Sequence, residues 1–109
     1  MAYDERTAQR VRDLLSEECV VVEKRMFGGL AFMVNGHMCC GVVGEDVVVR
    51  VDPKEHQKAL CQPHVRPMDF TGRPMKGFVY VSPQGHSTKA NLKKWLRKGL
   101  TFISSLPAK

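Results

Sequence analysis

Apolar residues recur at helical spacing near the start of the chain, at Ala8, Val11, Leu14 and Leu15, and predict a first helix over about Asp4 to Ser16. Asp4 and Glu5 lie where the helix dipole favours negative charge. The pattern then changes. Val20-Val21-Val22 opens a β-branched run that reads as a strand to about Met26. Gly28-Gly29 breaks it, and Leu30 to Val34 is a second strand. Asn35-Gly36 is the strongest hairpin signal in the chain, because a type I′ turn needs positive φ at both central positions. A third strand spans His37 to Val43 and a fourth Val47 to Val51, joined by Gly44-Glu45-Asp46. Short turns between all four predict an antiparallel meander.

Asp52-Pro53-Lys54-Glu55 reads as a helix start with a capping box, and Pro63 stops that helix near Cys61. Residues 62–76, with Pro63, Pro67, Gly72 and Pro74, read as an irregular loop. Gly77 to Ser82 is the fifth strand. A last helix runs from Ser87 or Thr88 to about Ser105, with Leu92, Trp95, Leu96, Gly99, Leu100 and Ile103 along one face. Gly99 costs that helix about 1 kcal/mol relative to alanine, which implies close packing at that position. The expected fold is α+β: a five-stranded antiparallel sheet (four-strand meander plus one) with three helices, in the order α-β-β-β-β-α-β-α. At 109 residues the chain is expected to form a single domain over residues 1–109.

The alternation within the strands bears on assembly. In strand two Leu30, Phe32 and Val34 oppose Ala31 and Met33. Strand three sets Met38, Cys40 and Val42 against Cys39 and Val43. A sheet wetted on one side alternates apolar with polar more cleanly. Both faces here look fit for burial, so either helices cover both or a second copy covers one. A homodimer is the expectation.

Charge is unevenly placed. Of 17 basic and 11 acidic residues, every acidic one precedes residue 70, while residues 70–109 carry eight basic side chains. Lys89, Lys93 and Arg97 form a stripe on the last helix, with Lys94 and Lys98 beside it. Such a field can aid solubility or draw in an acidic partner or nucleic acid. No helix-turn-helix or other named motif accompanies it, so nucleic-acid binding is expected to be weak and sequence-independent. The N-terminus is acidic with no apolar signal core. The longest uninterrupted aliphatic or aromatic stretch, Leu30 to Val34, is far short of a bilayer crossing, so a cytoplasmic location without membrane contact is expected. Cys19, Cys39, Cys40 and Cys61 are then expected to be reduced thiols, and adjacent Cys39 and Cys40 to point to opposite faces of their strand.

Catalytic signals are sparse. No phosphate loop follows Met26-Phe27-Gly28-Gly29, whose glycines either turn the chain tightly or offer amides to an anion. His37 and Cys39 share a strand face next to Cys40, which is a starting point for thiol or metal chemistry. The spacing to His56, Cys61 and His64 matches no standard zinc site. No Gly-x-Ser-x-Gly elbow and no placed pair of carboxylates occurs. Arg50 sits among valines and calls for a carboxylate partner, Asp69 or Glu23, a place at a rim, or an anion to contact. The expectation is a protein without catalytic residues, metal or cofactor.

With Met26-Phe27-Gly28-Gly29, Asn35-Gly36 and Val49-Arg50-Val51, the chain resembles the N-terminal domain of the TfoX/Sxy family of bacterial competence regulators. Pro67-Met68-Asp69-Phe70-Thr71-Gly72-Arg73-Pro74-Met75 with Gly77-Phe78-Val79-Tyr80-Val81 also looks like the stand-alone members of that family. The likeness covers about residues 10–105. It implies a secretion-chaperone-like α+β fold and no known catalytic residues or cofactor. The function expected is a small non-enzymatic interaction domain, regulating transcription or competence through protein partners. The alternatives are nucleic-acid binding through Lys89, Lys93, Lys94, Arg97 and Lys98, or thiol or metal chemistry at His37, Cys39 and Cys40.

Overall fold

In the computed structural model the described residues are 3–26, 28–70 and 73–107; the side chains of Met26 and of residues 68–70 and 73–76 fall outside the description. Helix α1 spans Glu5–Ser16 and starts where Asp4 accepts hydrogen bonds from the Thr7 backbone N–H and hydroxyl. Those bonds lower the Asp4 carboxyl below its ordinary range, because they favour the charged form. Four strands follow: β1 Val22–Met26, β2 Gly29–Val34, β3 His37–Val43 and β4 Asp46–Arg50. Each pairs antiparallel with the next, as the turn signals require. At the β2–β3 turn Asn35 and Gly36 have φ of 54° and 82°, which is the type I′ geometry the dipeptide favours.

Asp52 then accepts from the Lys54 amide, and a 3-10 turn over Pro53–Glu55 leads into α2, His56–Leu60. The sheet has six strands where five were expected. Val65–Phe70, inside the expected loop, is β5, and β6 runs over Arg73–Val81. The strand order is β1-β2-β3-β4-β6-β5, so β5 is an edge. Proline lacks an amide to donate and is tolerated only where no neighbouring strand needs one. Pro67 meets that condition on the edge strand. Pro74 meets it because β4 pairs only with residues 78–81 of β6, so residue 74 has β5 alone beside it. Helix α3, Lys89–Ser104, follows a Thr88 cap that accepts from the Asn91 amide.

All three helices pack on one face of the sheet. Val11 and Leu15 of α1, Ala59 of α2, and Leu92, Leu96 and Ile103 of α3 share one core with Leu30, Phe32, Val42, Val47, Val49, Val79 and Val81. Each fully buried leucine or phenylalanine here adds about 1.5–3 kcal/mol. The opposite face has its own cluster, Ala31, Met38 and Val48 with Met33, Val43, Phe78 and Tyr80, drawn from strands alone. The expected assignment of β2 to two faces therefore holds, while that of β3 does not. A register shift between Phe32 and Met33 puts a bulge at Cys39. Met38 falls on the helix-free face, and Cys39 and Cys40 both lie in the helix-side core instead of on opposite faces.

Candidate functional site

The basic side chains of α3 are split between two neighbours. Arg97 donates to Glu18, just after α1, at 2.9 Å. Lys89 lines a shallow depression with Asp13 of α1 and Glu17 just beyond it. The stripe Lys89, Lys93, Arg97 thus runs beside carboxylates, which lowers the field it would present to a phosphate backbone. Lys94 and Lys98 turn the other way, toward α2, and the Lys98 ammonium stands 5.9 Å from the centre of the Trp95 ring.

Between α2 and α3 lies an open groove of about 760 Å³. Val51, Ala59 and Phe102 line it, with Lys58, Lys94 and Lys98 at its sides. Arg50 anchors one wall: its guanidinium lies 5.3 Å from the Phe102 ring centre and 5.6 Å from that of Phe78. The sequence leaves Arg50 a carboxylate, a rim position or an anion, and the described residues place two aromatic rings beside it. Glu23, one of the two candidate partners, is held instead by Arg12 at 2.6 and 2.8 Å. That pair pulls the Glu23 carboxyl below its usual range and raises the Arg12 guanidinium. The side chain of Asp69, the other candidate, lies outside the described residues.

Of Met26-Phe27-Gly28-Gly29, Met26 pairs with Gly29 in the antiparallel register of β1 with β2, and a Cβ at Gly29 would run into the Val42 carbonyl oxygen. Close backbone approach explains the second glycine. Phe27 and the Met26 side chain lie outside the described residues.

Three of the four histidines have structural work, while His64 is exposed. His37 Nε2 donates to the Pro107 carbonyl at 2.6 Å, tying β3 to the chain beyond α3. His56 Nδ1 accepts the Gly77 amide at 2.6 Å. His86 Nε2 donates to the Glu45 carbonyl at 2.9 Å, while Arg10 donates to Nδ1 at 3.3 Å. Cys39 and Cys40 are fully buried. Burial first, and then the Cys39 hydrogen bond, push the Cys40 thiol well above its ordinary value. Among the described residues no group of three His, Cys, Asp or Glu side chains gathers in metal-binding geometry.

The TfoX N-terminal domain family model matches residues 13–103, most of the chain. The chain belongs to the TfoX N-terminal domain family. The match runs from α1 to the end of α3, so it takes in every strand of the TfoX sheet and the groove above it. No curated protein sequence matches the chain. Among the described residues no helix is long and apolar enough to cross a membrane. The feature of this TfoX domain that sequence reading missed is the groove. It depends on where α2 and α3 land on the sheet, and a linear pattern carries no signal for that; the apolar second face, in contrast, was one of the two alternatives that the strand pattern offered.

Proposed function

We propose that this chain is a small non-enzymatic interaction domain with a competence-related regulatory role, acting through protein partners. The carrying observation is the apolar sheet face that, among the described residues, no helix covers. An antiparallel sheet wetted on one side normally shows polar residues there. Here Ala31, Met33, Met38, Val43, Val48, Phe78 and Tyr80 occupy it across four adjacent strands. Ala31, Met38 and Val48 are already buried within the single chain, while Met33, Val43, Phe78 and Tyr80 stay half-exposed, and apolar surface left open on a strand-only face marks contact sites. Membership of the TfoX N-terminal domain family supports the regulatory reading. A second copy is the occupant we favour, because the Arg66 guanidinium that lies over Tyr80 is paired with Asp46, and an apolar face of this kind can meet its own image across a two-fold axis.

Sedimentation at micromolar concentrations tests this. The expected species is about twice 12.3 kDa, and Val43→Glu, at a half-buried position on that face, should return it to the single chain. A single chain at every concentration would remove the dimer. Partner capture from the source cell that survives Val43→Glu undiminished would remove the surface.

Nucleic-acid binding by α3 is the second reading. It is supported by Lys93, Lys94 and Lys98, which are exposed and outside the ion pairs formed among the described residues. Its test is the salt titration described in the Discussion.

A further inference from the structure

Helices α2 and α3 diverge over the end of β4, and the groove between them is built for a particular kind of guest. Its floor is apolar, from Val51, Ala59 and Phe102. Cations reach it from both walls, Lys58 from α2 and Lys94 and Lys98 from α3. Among the described residues none of these three lysines lies within 4.0 Å of a carboxylate. Arg97, the fourth cation on the lining, is committed to Glu18. Two acids stand on the α2 side, Asp52 and Glu55, and the Asp52 carboxylate is engaged by the Lys54 amide. The cations of the lining outnumber its acids. The Arg50 guanidinium lies 5.3 Å from the Phe102 ring centre, a cation–π contact that favours one position of that ring.

We propose that this groove binds a small organic anion: a carboxylate, sulfonate or phosphate ester carried on an aromatic or branched aliphatic body. The acidic group meets Lys94 and Lys98, and the body lies on Phe102, Val51 and Ala59. A volume of about 760 Å³ falls inside the range of small-molecule sites, and an apolar lining with a few convergent charges is their usual makeup. Charge complementarity decides the sign of the guest. A neutral body would gain nothing from Lys94 and Lys98, and a cation would meet like charge along the α3 wall.

The test uses the full chain and anilinonaphthalene sulfonate, an aromatic anion, followed by fluorescence and by amide chemical shifts. Expected is saturable one-to-one binding, with shifts confined to α2, α3 and Val51. Lys94→Glu with Lys98→Glu should weaken it about tenfold or more, the scale of a lost charged contact. Lys89→Glu with Lys93→Glu makes the same charge change on the same helix outside the groove and should weaken it by less than about threefold, as a screened surface charge does. The uncharged parent, phenylnaphthylamine, should bind more weakly than the sulfonate. Equal losses in the two double variants would reduce the effect to bulk charge and overturn the site. So would shifts centred on Ala31, Val43 and Tyr80, an absence of saturation, or an acidic peptide binding the groove where the sulfonate does not. Sedimentation of Val43→Glu reads the sheet face separately, so either result can fail without the other.

Discussion

Gly99 of α3 rests on Cys39 of β3 so closely that a Cβ at residue 99 would sit 2.8 Å from the Cys39 carbonyl oxygen and 3.1 Å from its sulfur. The helix lies flush on the bulged strand because this residue has no side chain. Gly99→Ala tests the contact. In an isolated helix the change would gain about 1 kcal/mol. Here the alanine methyl meets backbone that cannot swing away, and overpacking of this kind costs about 1–3 kcal/mol. The expected net result is a loss of stability, read as a lower urea midpoint at unchanged slope. A raised midpoint would show that α3 can lift away freely.

The Arg12–Glu23 pair ties α1 to β1. The Glu23 carboxyl is depressed in the fold, chiefly by its hydrogen bond from Arg12. A depressed carboxyl stabilises the fold above its unfolded value, ordinarily 4.5, and loses that contribution as pH falls through the folded value. Glu23→Gln should therefore be less stable than the parent at pH 7, by about 0.2–1 kcal/mol for a pair this exposed. The gap should close as the medium is taken below pH 4.5. Denaturant unfolding across that range checks it, and a gap that widens in acid would contradict the pairing.

His56 is buried and takes the Gly77 amide, linking α2 to β6. His56→Ala leaves that amide without its partner and should cost about 1–3 kcal/mol. Hydrogen exchange at Gly77 should quicken more than at Val79 in the same strand. Uniform quickening along β6 would mean that the bond is incidental.

Thiol reactivity should follow burial. Cys61 is exposed, Cys19 is half-buried with its thiol raised chiefly by burial, and Cys39 and Cys40 are inside. An aromatic disulfide reagent should label Cys61 first and Cys19 more slowly. Cys39 and Cys40 should react only on unfolding. Fast native labelling of Cys40 would revive the thiol chemistry that the sequence left open.

The carboxylates beside the α3 stripe set an expectation for nucleic acid. Duplex DNA should bind weakly even at about 50 mM salt, with a shallow dependence on salt, because only a few lysines would contact phosphate. Glu18→Gln frees Arg97 and should strengthen the low-salt binding. No affinity at about 50 mM salt for either form would end the nucleic-acid reading.

Much of the fold was legible along the chain. Asn35-Gly36, the Asp4 and Thr88 caps and the helical spacing from Leu92 to Ile103 act within a few residues, so local chemistry is enough to read them. Val65–Phe70 escaped because proline punctuation signals a loop unless the strand is known to be an edge, and edge position depends on the whole sheet. The faces of β3 escaped for a related reason. Period-two counting assumes an unbroken ladder, and the bulge at Cys39 breaks it.

The residues of the candidate site were visible singly and not together. The sequence by itself determined that α3 is basic on one side, that Arg50 needs company, and that β2 carries apolar residues on both faces. Only the tertiary structure decided that Arg50 stacks between Phe78 and Phe102, that Arg97 is occupied by Glu18 while Lys94 and Lys98 overlook a groove, and that all three helices choose the same side of the sheet. Short-range propensities write themselves into neighbouring residues. The partner of a long cation, or the side on which a helix docks, is set by burial summed over segments far apart in the chain.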